Sequence, residues 1–270
     1  MTLPGWIDGR VVAADAAALT LGDSAHTSGV GCYTTARWLG ASIWHVDRSA
    51  RRLARDAHTL GLGDLDEARV ALAMAELGAA CFGAEPGIVR FEASRSAAGN
   101  LCLTGTARAL GPEPDRWQAA SAPFCHPGPA PWGGAKVTSH LLFVHARDHG
   151  AALGADECLL FDAAGYLVEG ARSSPLFVDS QGHLCTPPAT RGGVTGVGLD
   201  VLRARFPELR EADISRSELA HQPEILSVNS VRGPVPVVRL DGQPIGDGEP
   251  GPWAARLRSA LAPPFLKSRE

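Results

Sequence analysis

The stretch that decides the fold is GADECLLFDAAGYLVEG, residues 154–170. Glu157–Phe161 is an apolar run of strand length, Ala163–Gly165 supplies a turn, and apolar residues resume at Tyr166–Val168. This pattern predicts a β-hairpin whose second strand ends at Glu169. Taken alone, Glu169 is either a functional carboxylate or a charged strand end on the surface.

Outward from this hairpin, short strands alternate with helices. An Asp-Gly turn at Asp8–Gly9 predicts an opening hairpin, and strand patterns recur along the chain. Further strands are expected at 42–46, 88–93, 176–178, 183–186, 225–228 and 235–239. Helices are expected at 48–60 with Asp47 as its cap, at 65–82, 139–150 and 253–261, and after a glycine turn at Gly192–Gly193 through about Phe206. Strands interrupted by helices predict an α+β fold of two domains.

The boundary between the two domains is expected in a stretch rich in Pro, Gly and Ala, Ala107–Pro131. Such composition is typical of connections between domains. We therefore predict an N-terminal domain over 1–115, a linker over 116–131 and a C-terminal, cofactor-binding domain over 132–270.

Composition excludes several classes of protein. With 45% hydrophobic and 20% charged residues among 270, the chain is expected to fold. Its formal net charge of −4 argues against a nucleic-acid partner. No run is long enough to span a membrane, and the start resembles no secretory signal, so we expect a cytoplasmic protein. Six scattered cysteines without a CxxC are expected to be reduced.

Lysine usage singles out one residue. Of 25 basic residues only two are lysines, Lys136 and Lys267, and Lys267 belongs to the polar tail KSRE. An arginine guanidinium stays protonated, whereas a lysine amine can lose its proton and form a Schiff base. Lys136 is therefore a candidate nucleophile, unless it simply survives from biased codon usage.

A second candidate is the turn GVTGVG at Gly193–Gly198, which is expected to lead into a helix. Free N–H groups at a helix start favour a phosphate. The alternatives are simple N-capping of that helix by Thr195, or a dinucleotide site of an oxidoreductase. No metal site is expected, because the helical pair His145 and His149 lacks the adjacent glutamate of a zinc motif.

Together these segments resemble the class IV aminotransferases, the fold-type IV group of pyridoxal-phosphate enzymes. The resemblance covers nearly the whole chain, and order and spacing make it specific. It is carried by Ile7–Gly9, Gly22–Asp23, GVGCYTTAR at 29–37, His45–Arg48, Arg95, Lys136, residues 154–170, Gly193–Thr195, Asn229–Ser230 and Pro236–Val237.

The resemblance implies a homodimer that acts on a small-molecule amino substrate, with pyridoxal 5′-phosphate in a cleft between two domains built on mixed, barrel-like sheets. Lys136 would be the catalytic Schiff-base lysine, and Glu169 would face the pyridine nitrogen. The implied cofactor-binding residues are Arg48, Lys136, Glu169, Val194, Thr195, Asn229 and Ser230. The implied substrate-binding residues are Tyr33, Thr35 and Arg95.

Within the family, Tyr33–Thr34–Thr35 resembles the lyase that converts 4-amino-4-deoxychorismate to 4-aminobenzoate and pyruvate, a step of folate biosynthesis. The chain's modest length favours the same activity. We therefore predict that lyase, with an aminotransferase for a D- or branched-chain amino acid as the alternative. Ser24, Val30 and Pro175 depart from the family pattern, so a diverged or non-catalytic relative is the second alternative.

Overall fold

The computed structural model describes residues 2–261, so Lys267 and the rest of the polar tail lie outside the described residues. The chain forms two compact units. The first comprises the chain up to Pro112 together with Ala135–Ser139, and the second comprises Glu113–Gly134 and the chain from His140 onward. This division differs from the predicted boundaries. Part of the expected linker is a sheet strand of the second unit, and a short segment after residue 132 belongs to the first.

The first unit is built on a five-stranded antiparallel sheet with the strand order β2-β1-β5-β4-β3. The predicted opening hairpin is present, with its turn at Asp8 and Gly9. The sheet is antiparallel throughout, where a mixed sheet was expected. Its strands are β1 (Gly5–Ile7), β2 (Arg10–Val12), β3 (Cys32–Trp38), β4 (Gly87–Arg95) and β5 (Leu101–Ala109).

Helices α1 (Ser24–Ser28), α2 (Val46–Thr59) and α3 (Glu67–Phe82) complete this unit. Buried residues of α2 recur every three or four positions, as in Ala50, Leu53 and Ala57, so one face of the helix joins the core. Burying a leucine such as Leu53 contributes roughly 2 kcal/mol.

The second unit contains a mixed nine-stranded sheet with the order β11-β10-β9-β12-β13-β6-β7-β8, and β14 pairs with β13. β6 lies parallel to both β7 and β13, and β7 also pairs with β8, so β7 has neighbours on both sides. The strands are β6 (Trp117–Ser121), β7 (Glu157–Phe161), β8 (Leu167–Gly170), β9 (Ser174–Val178), β10 (Leu184–Thr186), β11 (Arg210–Glu211), β12 (Glu224–Asn229), β13 (Gly233–Leu240) and β14 (Gln243–Pro244). The helices are α4 (Leu141–Ala152), α5 (Val197–Arg205), α6 (Arg216–Leu219) and α7 (Pro252–Leu261). The predicted α+β fold is confirmed.

The hairpin predicted within residues 154–170 is formed by β7 and β8. Asp162 closes its turn, because one carboxylate oxygen accepts the N–H groups of Ala164 and Tyr166, each at 3.0 Å. Gly165 adopts a left-handed φ of 84°. The register pairs Leu160 with Glu169, which carries Glu169 into the buried sheet rather than to the surface.

Two local predictions are wrong. His45, with a left-handed φ of 51°, precedes α2 without a side-chain cap, and Asp47 lies inside the first turn. No strand spans 42–46, where only Ile43 forms a single bridge to Trp38. The helix predicted after the glycine turn at Gly192–Gly193 begins at Val197.

Candidate functional site

Lys136 is held in the first unit by a short backbone pairing with β3. Its carbonyl accepts the N–H of Tyr33 at 2.9 Å, and Val137 bridges Cys32 in antiparallel fashion. The N–H of Lys136 donates to Asp56 Oδ2 at 2.9 Å. Both backbone polar groups of Lys136 are therefore fixed.

Glycines of the GVG sequence allow this segment to approach. Gly29 ends α1 with a left-handed φ of 64°, and its carbonyl accepts the hydroxyls of Thr138 and Ser139. A Cβ on Gly29 would lie 2.3 Å from Ser139 Oγ, and one on Gly31 would lie 3.0 Å from Thr138 Oγ1. These short distances, together with the left-handed φ of Gly29, favour glycine at residues 29 and 31.

The Lys136 amine lies over an aromatic ring. Nζ is 4.8 Å from the Tyr33 ring centroid, and the Arg90 guanidinium is 3.7 Å from the same centroid. Arg90 pairs with Glu92, whereas Lys136 makes no ion pair with a carboxylate in the part of the chain that the structure describes. Tyr33, Arg90 and Lys136 are thus brought together around one ring, with two cations and an electron-rich face.

Arg52 is a functional candidate that the sequence patterns do not single out. It is buried, its Nη2 donates to Thr34 Oγ1 at 2.7 Å, and its Nε has no hydrogen-bond partner within residues 2–261. Burial lowers the pKa of Arg52 to about 10, although the nearby Asp56 carboxylate raises it. A desolvated guanidinium with an unused donor is suited to an anionic ligand.

The predicted phosphate residue Arg48 lies one helical turn before Arg52, half-buried and with partners of its own. Asp56, one turn further along α2, accepts from Arg55 at 2.6 Å as well as from Lys136. The segment RSARRLARD at 48–56 offers arginines at four positions, so sequence alone did not separate them. Burial is the signal that does.

The other predicted substrate residues differ in setting. Thr35 is two residues after Tyr33 on β3, and so lies on the same face of the sheet. Arg95 lies at the end of β4, where its guanidinium donates to the carbonyls of Gly61 and Leu62. These bonds tie the Arg95 side chain to the loop after α2.

Glu169 is the centre of the second unit's candidate site. Its side chain is 8% exposed, Oε1 lies 3.1 Å from His126 Nε2, and Oε2 accepts the N–H of Val194 at 3.2 Å. Within the described residues it has no arginine or lysine partner. A buried carboxylate held by such donors is suited to a cationic nitrogen.

The turn at 193–196 borders a cavity of about 280 Å³. Glu169, Val194 and Thr195 all line this cavity. The N–H of Thr195 donates to the carbonyl of Gly134 at 2.9 Å, and α5 is capped by Gly196 rather than Thr195, so the capping alternative is wrong. An anion at this turn must compete with Glu169 for the Val194 N–H.

Asn229 ends β12 and Ser230 follows it, beside the first turn of α5. A Cβ on Gly198 would lie 3.0 Å from the carbonyl carbon of Asn229, so the two backbones are in close contact. The Asn229 side chain accepts the N–H groups of Val231 and Arg232, which shapes the β12–β13 turn.

The three departures from the family pattern have defined contacts. The Ser24 hydroxyl donates to the Val30 carbonyl at 2.6 Å and accepts the N–H of Arg95. Pro175 lies on β9 opposite Ser227, whose buried hydroxyl has no partner among residues 2–261.

The described chain contains no helix able to cross a membrane and no group of three metal-binding side chains.

Comparisons with known proteins place these features in context. The family model for amino-transferase class IV matches residues 31–240. The branched-chain-amino-acid aminotransferase of Escherichia coli (strain K12) is 33% identical over 149 residues, covering 54% of this chain and 46% of that enzyme. The chain thus spans about half the length of the curated relatives it matches.

Solved structures show the same fold over a greater length. The branched-chain aminotransferase of Thermoproteus uzoniensis with norvaline superposes with a TM-score of 0.84 at 23% identity, covering 97% of this chain and 94% of that one. A hypothetical aminotransferase from Mycobacterium tuberculosis in its PLP-bound form gives 0.79 at 21% identity, covering 96% and 99%.

Proposed function

This chain belongs to the class IV aminotransferase family, and on that premise we propose that it is an aminotransferase acting on a small amino acid. The cofactor of the family is pyridoxal 5′-phosphate. The observation that carries the proposal is the setting of Lys136. Hydrogen bonds hold its backbone N–H and carbonyl, and its amine forms no ion pair with a carboxylate in the described chain.

The residues present fit this cofactor. When bound, pyridoxal phosphate supplies an aldehyde that reacts with amines and a protonated ring that withdraws electrons from the substrate Cα. A lysine amine, a buried carboxylate without a basic partner and a buried guanidinium with an unused donor match the aldehyde, the ring nitrogen and the phosphate.

Lys136 would hold the aldehyde carbon of the cofactor through Nζ. Its free amine would take the proton from the substrate Cα and return a proton on the way to product. The ring of Tyr33 lies against Nζ, and the guanidinium of Arg90 lies against the same ring.

Glu169 would accept a hydrogen bond from the ring nitrogen of the cofactor and keep that nitrogen protonated through its negative charge. Its burial matters because the charge acts more strongly where water is excluded. The hydrogen bond from Val194 and the contact with His126 fix the direction of the carboxylate.

For the phosphate, the candidate of the first unit is Arg52, ahead of Arg48, and the candidate of the second unit is the hydroxyl of Thr195. Arg52 supplies a desolvated charge with an unused Nε donor, and Thr195 lines the cavity at the glycine turn. Val194, Asn229 and Ser230 remain secondary candidates of the second unit, and the Val194 N–H already donates to Glu169.

The substrate is proposed to be a branched-chain amino acid, because the curated relative that covers half of this chain carries that name. Tyr33 and Thr35 share one face of β3, and Arg90 on the adjacent strand adds a cation for the substrate carboxylate. Arg95 remains a candidate substrate-binding residue, although its guanidinium donates to the carbonyls of Gly61 and Leu62.

We also propose that the protein is a homodimer.

The lyase remains a second candidate, favoured by the sequence Tyr33–Thr34–Thr35. The comparisons support transferases rather than that lyase. Both activities use the same three groups for the cofactor, so only the substrate and the product separate them.

The test is to purify the protein with pyridoxal phosphate and record its visible absorption before and after borohydride. We expect a pyridoxyl group fixed on Lys136 by mass spectrometry, and none in Lys136→Ala. Amino transfer from L-leucine and D-alanine to 2-oxoglutarate, measured beside formation of 4-aminobenzoate from 4-amino-4-deoxychorismate, then identifies the activity. A colourless protein without an adduct would overturn the proposal and favour a non-catalytic relative.

A further inference from the structure

His126 contacts Glu169 from the turn that follows β6. Its side chain is 5% exposed, and its backbone N–H donates to the carbonyl of Phe161 at 2.7 Å. The ring of Phe143 on α4 packs against it at a centroid distance of 6.3 Å. The imidazole is therefore held in a single orientation, with Nε2 directed at Glu169 Oε1.

The other ring nitrogen decides where the imidazole proton lies. The backbone N–H of Gly128 donates to His126 Nδ1 at 3.0 Å. An amide nitrogen only donates, so Nδ1 must present its lone pair. The neutral ring then carries its proton on Nε2, which donates to Glu169.

Two alternatives are excluded by the same bond. A doubly protonated imidazolium would set an N–H on Nδ1 against the N–H of Gly128. A protonated Glu169 donating to Nε2 would likewise require the ring proton on Nδ1. The pair is therefore a neutral imidazole and a carboxylate anion.

We propose that His126 is a positioning residue for Glu169: its neutral imidazole orients the carboxylate through Nε2–H and leaves the negative charge for the ring nitrogen of the cofactor. The proposal rests on the role of Glu169 given above. A basic arginine or lysine at this position would instead pair with the carboxylate charge and weaken its effect on the ring nitrogen.

The backbone of this turn also reaches the phosphate end. Gly128 has a left-handed φ of 86°, and a Cβ on Gly192 would lie 2.5 Å from its carbonyl. Gly192 directly precedes the Gly193–Thr195 turn. The turn at 126–128 thus fixes Glu169 and abuts the start of the phosphate turn.

The direct test reads the tautomer in the wild-type protein. In protein carrying ¹⁵N-labelled histidine, the ring nitrogens of His126 are assigned by their absence in His126→Gln, and spectra are recorded at neutral pH with and without pyridoxal phosphate. We expect Nε2 protonated and Nδ1 unprotonated in both samples. A proton on Nδ1, alone or together with Nε2, would overturn the proposal.

Variants then test the positioning role. His126→Leu removes the donor, and His126→Gln keeps an N–H for Glu169. We expect His126→Leu to lower kcat about tenfold, the scale of a hydrogen bond to a charged group, with KM unchanged and the absorption of the bound cofactor altered. His126→Gln should recover most of the kcat and most of the cofactor absorption. His145→Leu, on the exposed face of α4, is the matched control and should change neither. An equal loss of kcat in His126→Gln and His126→Leu would mean that His126 acts through packing alone, which would overturn the proposal.

Glu169→Gln separates this proposal from the proposed function. If that variant keeps the cofactor absorption and kcat, Glu169 has no role at the ring and the positioning role falls with it, whatever the tautomer. If Glu169→Gln is impaired while His126→Leu is not, the role of Glu169 stands and the positioning role alone is overturned.

Discussion

At the scale of single residues, burial separates side chains that look alike in sequence. Arg48 and Arg52 lie one turn apart on α2, yet only Arg52 is buried against Thr34 with an unused Nε. Desolvating a guanidinium is unfavourable unless a ligand or carboxylate compensates. The Asp56 carboxylate accepts hydrogen bonds from the Arg55 guanidinium and from the backbone N–H of Lys136, and Arg52 makes no hydrogen bond to it, so the unused Nε of Arg52 is the donor that we propose for the phosphate.

We therefore predict that Arg52→Gln raises the Kd for pyridoxal phosphate about tenfold or more, because a hydrogen bond to a charged group is lost. Arg48→Gln is the matched control and should leave the Kd close to wild type. The Kd is measured by fluorescence titration of the cofactor-free protein, and thermal unfolding checks that each variant folds. If only Arg48→Gln weakened the binding of pyridoxal phosphate, Arg48 would be the phosphate ligand, as the sequence predicts.

A second prediction at this scale concerns the nucleophile. Lys136→Arg keeps a positive charge near Tyr33, but a guanidinium stays protonated and is a poor nucleophile. We expect this variant to retain its fold and to lose turnover as completely as Lys136→Ala. Measurable amino transfer by Lys136→Arg in single-turnover assays would show that another amine does the chemistry.

At the scale of elements, the site depends on a few backbone contacts that sequence patterns predict unevenly. The hairpin at 154–170 was predictable because apolar runs and turn residues are local signals, and its register places Glu169. His126 was missed because its contacts join residues 43 positions apart. Capping by Thr195 stays open as an alternative in the sequence, because sequence cannot show which residue begins the helix when Gly196 is adjacent.

The pairing of Lys136 with β3 gives an element-scale prediction. Gly29 and Gly61 have nearly equal left-handed φ values of 64° and 66°, but only a Cβ on Gly29 meets another atom, Ser139 Oγ at 2.3 Å. Alanine at either position costs about 1–2 kcal/mol for the backbone alone. We expect Gly29→Ala to destabilise the protein more than Gly61→Ala and to lower turnover, because it displaces the segment that carries Lys136.

Urea unfolding and amino-transfer rates measure both effects. In a Ser139→Gly background the clash is removed, so the excess destabilisation from Gly29→Ala should shrink toward the value for Gly61→Ala. Additive effects of the two substitutions would mean that the contact with Ser139 is not the cause.

At the scale of the whole molecule, the charged groups with shifted pKa values are unevenly distributed. Among the described residues, the carboxyl groups whose pKa is lowered all lie in the second unit, namely Asp162, Asp179, Asp213, Glu218 and Asp241. Burial raises the pKa of Glu157 and Glu224 in the same unit. The second unit is therefore where stability should respond most to acid.

The sharpest case is Arg191, which ends the 3₁₀ turn before Gly192 and pairs with both Asp162 and Asp213. Its hydrogen bond lowers the pKa of Asp213, and it also lowers that of Asp162 against the effect of burial. A lowered pKa in the folded state means that the stabilisation is complete above the unfolded value near 4 and is lost as the pH falls through the folded value.

We predict that Arg191→Gln lowers the midpoint of thermal unfolding at pH 7 and that its deficit relative to wild type narrows steadily below pH 4. The half-exposed Asp213 contributes no more than about 1 kcal/mol. The pKa of the largely buried Asp162 is also lowered by the Tyr166 N–H, so only part of its stabilisation depends on Arg191. Because Arg191 lies just before the turn that we propose for the phosphate, the same variant should bind pyridoxal phosphate less tightly at pH 7. Arg116→Gln, which removes an exposed ion pair with Glu249, is the control. A deficit that stays constant from pH 7 to pH 3 would show that Arg191 stabilises the turn by packing on Tyr166 rather than through its two carboxylates.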